Sequence, residues 1–198
     1  MVPRFGNLER LTENGHRFLA ADTGLWLEVH RPWVHIIWPM ALQFSVAMPY
    51  GTLEPSIQFA FDSLPLEMLT KFREDARKTL PNESAAWITW NDQTREFAYR
   101  PLAATSAGAA HLKLDRPALN DNEHLVIDIH SHARIPAFFS PEDNEDDDGE
   151  VKLSVVVGQL GSDQQSNTKL RLCANGLSIP SAEMRAVTEF RFNGDTIQ

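Results

Sequence analysis

The sequence predicts a mixed α/β protein, a sheet flanked by helices, preceded by a β-rich N-terminal extension. Three observations carry this expectation. Short runs of branched and aromatic residues, separated by Gly, Pro, Asn and Asp, fill residues 1–55 and recur beyond residue 85. One long segment, residues 64–80, has the apolar period of a helix. A branched apolar run, Leu125–Ile129, leads directly into His130-Ser131-His132.

In the extension, Arg17–Ala20 and Leu25–Val29 flank Asp22-Thr23-Gly24, a hairpin signal. Val34–Trp38 and Leu42–Val46 read as further strands, punctuated by Pro32, Pro39 and Pro49. Trp26, Trp33 and Trp38 are either core, since aromatic residues dominate small β cores, or a surface that holds a partner protein. His30 and His35 read as polar-face residues rather than ligands. The extension is expected to end at 55, and a second domain to span 56–198, opening on a strand at Ile57–Phe61.

In that second domain Leu69, Phe72, Ala76 and Leu80 recur at three- and four-residue steps, with charged residues between them. Pro65 suits the first turn of this helix and Pro81-Asn82 ends it. Trp87–Trp90 and Glu96–Arg100 read as strands, and the small, polar Ala103–Ala110 as a loop. Lys152–Val157 and Leu170–Cys173 complete the sheet. Cys173 is the single cysteine, which excludes an internal disulfide and fits a reducing compartment. Its place in an apolar strand reads as a buried, inert thiol. No role is assigned to His111 or His124.

The chemistry lies at the end of the Leu125–Ile129 strand. Side chains alternate faces along a strand, so His130 and His132 project together and Ser131 points the other way. Pro136 discourages continuation of the strand. Ser140-Pro141-Glu142-Asp143 is a helix start: Ser140 as N-cap, Pro141 at the first position, Asp143 at the third. A carboxylate there is held as an anion by the helix dipole. Two imidazoles and a carboxylate suit one zinc ion, and three protein ligands leave one tetrahedral position for water. The chain is therefore expected to hydrolyse a substrate with metal-activated water. Taken singly, Ser-x-x-acid is a plain capping box and a His-x-His pair is polar surface; their combination at this spacing makes the case. Asp128 shares the histidine face, either as an acceptor for a histidine N–H or as a partly exposed polar residue. A Ser-His-Asp triad through Ser131 or Ser140 lacks a nucleophile-elbow motif.

His-x-His-x7-Ser-x-x-Asp, met without a gap at His130, His132, Ser140 and Asp143, resembles the signature of the JAMM (JAB/MPN) zinc metalloproteases. The resemblance implies a JAMM/MPN-like fold related to the cytidine deaminases. It implies His130, His132 and Asp143 as zinc ligands and Ser140 as the residue that steadies the tetrahedral intermediate. It also implies a glutamate base at the start of the strand after the first long helix. Here that is Glu83, ahead of Ala85-Ala86; Glu54, Glu67, Glu74, Glu96 and Glu123 sit less suitably. The implied reaction is amide hydrolysis at the C-terminal tail of a ubiquitin-like protein. Ala133 stands where many members carry proline. No second Cys/His cluster accompanies the motif, so lysine-linked ubiquitin chains are not the default substrate. The N-terminal extension and Asp128-Ile129-His130-Ser131-His132 also resemble the PRTRC-cassette group of the family. Its members are encoded beside a ubiquitin-like protein, a ThiF-type activating enzyme and a conjugating-enzyme-like protein, which become the implied partners. A non-catalytic scaffold and a zinc hydrolase of a small amide are the alternative readings.

A net charge of −9 argues against a nucleic-acid partner. No run approaches the roughly 18–20 apolar residues of a membrane span, and Met1–Gly6 lacks a signal core, so a cytoplasmic enzyme is expected. The acidic run 142–150 fails as a calcium loop. Placing Gly149 on the loop glycine puts Asn144, Asp146 and Asp148 at ligand positions but Val155 where a bidentate glutamate is needed. It reads either as a solvated helix end or as a charged lip that selects basic tails.

Overall fold

The computed structural model describes residues 1–41, 46, 48–107, 112–114, 116–161 and 166–188, with backbone alone at 104–107 and 112–114. The described chain falls into two compact units, Met1–Asp62 with the chain from Met184, and Ser63–Glu183.

The first unit is a four-stranded antiparallel sheet of β1 (Gly15–Ala20), β2 (Leu25–Arg31), β3 (Val34–Ala41) and β4 (Ser56–Phe59), paired in that order. The hairpin at 21–24 sets Leu19 opposite Trp26. Leu19, Trp26 and Ile37 then pack with Val2 and Ala21, against half-buried Leu8 and Leu53. Pro39 does not end β3. It lies beyond the stretch paired with β4 and opposite a register shift in β2, where a sheet tolerates a residue without an N–H. Trp26 and Trp33 are buried as core, and Trp33 stacks on Phe59 and Phe61 with ring centroids 6.2 and 6.4 Å apart.

Two sequence expectations change here. β4 pairs with β3, so the strand assigned to the second domain closes the N-terminal sheet, and the second unit begins at 63, not 56. His35 is not surface: it is buried with its Nε2 2.9 Å from Glu28 Oε1. Glu28, fully buried, also accepts the Leu11 N–H and the Arg17 Nε–H, at 2.8 and 2.6 Å. Burial alone would raise the Glu28 carboxyl; these donors outweigh it and hold it below its usual value. The expected strand at Leu42–Val46 lies, except for Val46, outside the described residues.

The second unit contains α1 (Leu66–Lys78), β5 (Ala85–Asn91), β6 (Glu96–Pro101), β7 (Ala104–Ala107), β8 (Leu112–Leu114) and β9 (Glu123–Ser131). After these come α2 (Pro141–Asp147), β10 (Val151–Gly158), β11 (Asn167–Ala174), β12 (Leu177–Pro180) and α3 (Ser181–Val187), whose residues from Met184 count with the first unit. Six strands form one sheet in the order β12-β11-β10-β9-β5-β6. Among the described residues only β9 and β10 pair in parallel. A parallel pair needs a crossover, and α2 lies in it. Val126, Ile127 and Ile129 in β9 and Val155, Val156 and Val157 in β10 are all buried, as expected for central strands covered on both faces. α1 packs on β5 through its predicted stripe, burying Leu69, Phe72 and Ala76. The segment read as a loop is partly a strand: β7 pairs with β8, and residues 108–111, His111 among them, lie outside the described residues. Cys173 is buried, and burial followed by the neighbouring Asp147 carboxylate pushes its thiol up to about 12. Among the described residues no helix is long and apolar enough to cross a membrane.

The crossover is pinned to the sheet. His132 N–H donates to Val157 O, Gln159 N–H to Ile135 O and Leu160 N–H to Ala133 O, all at 2.8 Å. Gly158 lies directly beneath: a Cβ there would stand 2.5 Å from Ile135 O and 2.3 Å from Ala137 N, both main-chain atoms. We expect Gly158→Ala to destabilise the fold by about 1–3 kcal/mol, the range for overpacking, measured as a lower urea midpoint with unchanged m-value. A midpoint equal to wild type would mean the loop is not held against this strand.

Candidate metal centre

The centre forms where β9 ends. Pairing with β5 on one side and β10 on the other fixes its direction to Ser131. His130 and His132 emerge on the same side, as the alternation predicts, with Nε2 atoms 3.2 Å apart. Asp143 arrives from the first turn of α2. The predicted capping box is present: Asp143 N–H donates to Ser140 Oγ at 3.1 Å, and Ser140 N–H donates to Asp143 Oδ2 at 2.7 Å. Ser140 Oγ–H also donates to Asp143 Oδ2, at 2.8 Å. Asp143 Oδ1 lies 3.2 Å from His130 Nε2, and Oδ2 lies 3.9 Å from His132 Nε2.

These distances can be tested against a metal. Tetrahedral zinc with bonds of about 2.0–2.1 Å separates its ligand atoms by about 3.3 Å. The two nitrogens and the carboxylate stand close to those edges, and one candidate donor atom from each residue lies within 4.8 Å of the others. Two imidazole nitrogens 3.2 Å apart can share at most one proton, and a cation between them satisfies both. Burial, followed by the nearby His130, lowers the pKa of His132 despite the pull of Asp143, and so favours the neutral ring that ligates. The Phe138 ring meets His132 edge-on at 4.5 Å between centroids. The residues present fit a divalent metal site.

Glu83 lies two residues before β5 rather than opening it. It lines the same cleft of about 350 Å³ as His130, His132, Ser140 and Asp143. It is buried, and burial, then the Asp143 charge, push its carboxyl up to about 7. Its backbone is set by Ser131, the residue between the histidines. Ser131 N–H donates to Ser84 O at 2.9 Å, and Ser84 N–H donates to Ser131 Oγ at 3.0 Å. Sequence alternation turned Ser131 away from the histidines but gave no partner for it. Of the rival glutamates, Glu123 accepts from Thr89 and Arg100, and none lines this cleft.

Other expectations are settled or revised. Of the two readings of Asp128, the partly exposed polar residue holds: its Oδ2 accepts from Lys152 Nζ at 2.9 Å rather than from a histidine. The acidic run is not uniformly solvated, because Asp147 is buried between Lys152 and Arg171. Burial would raise the Asp147 carboxyl, but those two cations hold it below its usual value. Ala133, standing in the proline position of the family pattern, has φ of 44°, which a proline ring cannot adopt. The loop therefore leaves the strand by a different path from one that begins with proline. Arg116 pairs with Asp146 on the rim. Lys152, Arg171 and Arg116 were missed because isolated basic residues in strands and loops carry no motif; only tertiary pairing reveals them.

Comparison with known families adds two findings. Residues 1–60 match a domain of unknown function, DUF2016. Residues 65–173 match the prokaryotic homologs of the JAB domain, and this stretch contains Glu83, both histidines, Ser140 and Asp143. No curated protein matches the chain. The JAB match covers more than half of the sequence and the entire cleft, and the chain belongs to the family of prokaryotic JAB-domain homologs.

Proposed function

We propose that the chain is a JAMM-type zinc metallopeptidase that cleaves an amide bond at the C-terminal tail of a ubiquitin-like protein or its conjugates. One observation carries this reading: a three-ligand cluster at zinc-like spacing shares its cleft with a buried glutamate near neutral pKa. His130, His132 and Asp143 would hold the ion. Zinc, when bound, supplies Lewis acidity that polarises a carbonyl and brings water toward a pKa of ~7. Glu83 accepts a proton and returns it to the leaving amine, a double duty suited to a group titrating near the working pH. Its value of about 7 belongs to the metal-free cluster; a cation there offsets the Asp143 charge and favours ionised Glu83. Ser140 can turn its hydroxyl proton from Asp143 toward a developing oxyanion while its oxygen keeps the helix-capping bond. ThiF-type activating and conjugating-enzyme-like proteins are the proposed companions, in the cytoplasm. This part of the reading rests on the sequence resemblance.

The test begins with metal. Purified wild type should hold about one zinc per chain by elemental mass spectrometry, and Asp143→Ala should hold far less. Glu83→Gln should retain zinc and lose about 100-fold or more of turnover on ubiquitin-like tail amides. Full activity in Glu83→Gln would assign the base to another residue. Failure of wild type to take up zinc on reconstitution would favour the scaffold reading.

The buried glutamate also sets a pH dependence of stability in the chelator-treated protein. Its pKa rises from 4.5 to about 7 on folding, so the folded state binds the proton more tightly. Stability from this group is therefore present below about pH 4.5 and falls as pH rises toward 7, by up to about 3 kcal/mol. Urea unfolding at pH 5 and pH 7.5 should show that fall in wild type and a smaller one in Glu83→Gln. Equal slopes in both would show that Glu83 is not the source.

A further inference from the structure

The three proposed ligands do not share equally firm supports. His130 and His132 stand at the end of a strand paired on both sides, and His132 N–H continues that pairing to Val157. Asp143 stands on a seven-residue helix whose one buried residue is Asp147. A helix this short has little stability of its own. Something must hold it in place.

We propose that Arg171 is the positioning residue that fixes Asp143 relative to the histidines, and thereby sets the affinity of the cluster for a divalent metal. This rests on the metal-site reading above. Arg171 is a buried residue of β11. Its Nε and Nη2 donate to Asp147 Oδ2 at 2.9 and 2.6 Å, and its Nη1 donates to Asn144 Oδ1 at 2.7 Å. Nη2 also reaches the main-chain carbonyl of Asp143 at 3.3 Å. The guanidinium carbon lies 3.9 Å from the ring centre of Phe139, immediately before the helix cap. One rigid fork thus grips the helix at three residues, including the ligand itself, and also the approach to its cap. Lys152 adds a second tether: its Nζ joins Asp147 Oδ1 to Asp128 Oδ2, on the histidine strand, both at 2.9 Å.

Stability alone is a weak reason for this cluster. Buried ion pairs often do no better than apolar side chains of the same size. Their directional bonds fix a register, and the planar fork of arginine does so in a way that the point charge of lysine cannot reproduce. β11 pairs with β10 and β10 with β9, so the sheet itself measures the distance from Arg171 to the histidines.

The test uses the full chain and zinc alone. Affinity is measured by competition with a chromophoric chelator for wild type, Arg171→Lys, Asn144→Ala and Ile179→Val. The last is a core control: Ile179 is buried on β12 opposite Leu172, and its side chain has no polar group with which to bond the helix. Arg171→Lys should weaken zinc binding about tenfold or more, the effect expected when support of a ligand is lost. Asn144→Ala, at an exposed position, should weaken it several-fold. The control should leave it unchanged even if it lowers the melting temperature. With cobalt(II) in place of zinc, both helix variants should lose intensity in the visible bands of four-coordinate cobalt. Wild-type affinity retained in Arg171→Lys and Asn144→Ala overturns the proposal, and so does an equal loss in the control. Absence of zinc binding in wild type overturns the metal-site reading itself.

Discussion

The parallel pairing of β9 with β10 is the constraint on which the rest of this unit depends. Two parallel neighbours cannot be joined by a tight turn, so the chain must leave β9, cross over and return. The departure places His130 and His132 at the strand end, and the crossover places Ser140 and Asp143 above it. On the other side of β9, antiparallel β5 starts level with the histidines, Ala85 opposite His130, so the residues just before it reach the same cleft. Three segments of the chain, one of them some fifty residues upstream, converge because one strand is shared.

Much of this was readable beforehand where the signal is local. The period of α1, the alternation along β9 and the Ser-Pro-x-Asp start of α2 each depend on neighbours within a few residues, and each formed as expected. The placing of β4 was not local. Ile57–Phe61 is a good strand anywhere; that it closes the N-terminal sheet depends on pairing with β3, which no pattern within the segment encodes. The same holds for His35, whose burial follows from the fully enclosed Glu28 across the sheet.

The candidate site divides along the same line. Its donor atoms belong to a motif with fixed spacing, so they could be named. Their supports do not: Lys152 and Arg171 look like ordinary polar positions in strands, and Asp147 like one more acid in a solvated run. Composition pointed to solvent for that run, whereas the structure buries the one acid for which two cations are waiting. Charge pairing across strands is a tertiary property and becomes visible only when the strands are in place.

Ser131, wedged between the histidines but facing away from them, joins β9 to the segment that carries Glu83 by two hydrogen bonds. The spacing of the Glu83 segment from the histidine strand is therefore set by the backbone of Ser84 and Ser131 and one serine hydroxyl rather than by the reach of long side chains. Such a frame has little freedom to dilate. A calcium ion needs more oxygen donors at 2.3–2.6 Å than these three residues carry, whereas a small four-coordinate ion does not. Selectivity among metals at this centre would then follow from its nitrogen and oxygen donors, while the sheet fixes how near Glu83 stands to whatever they hold.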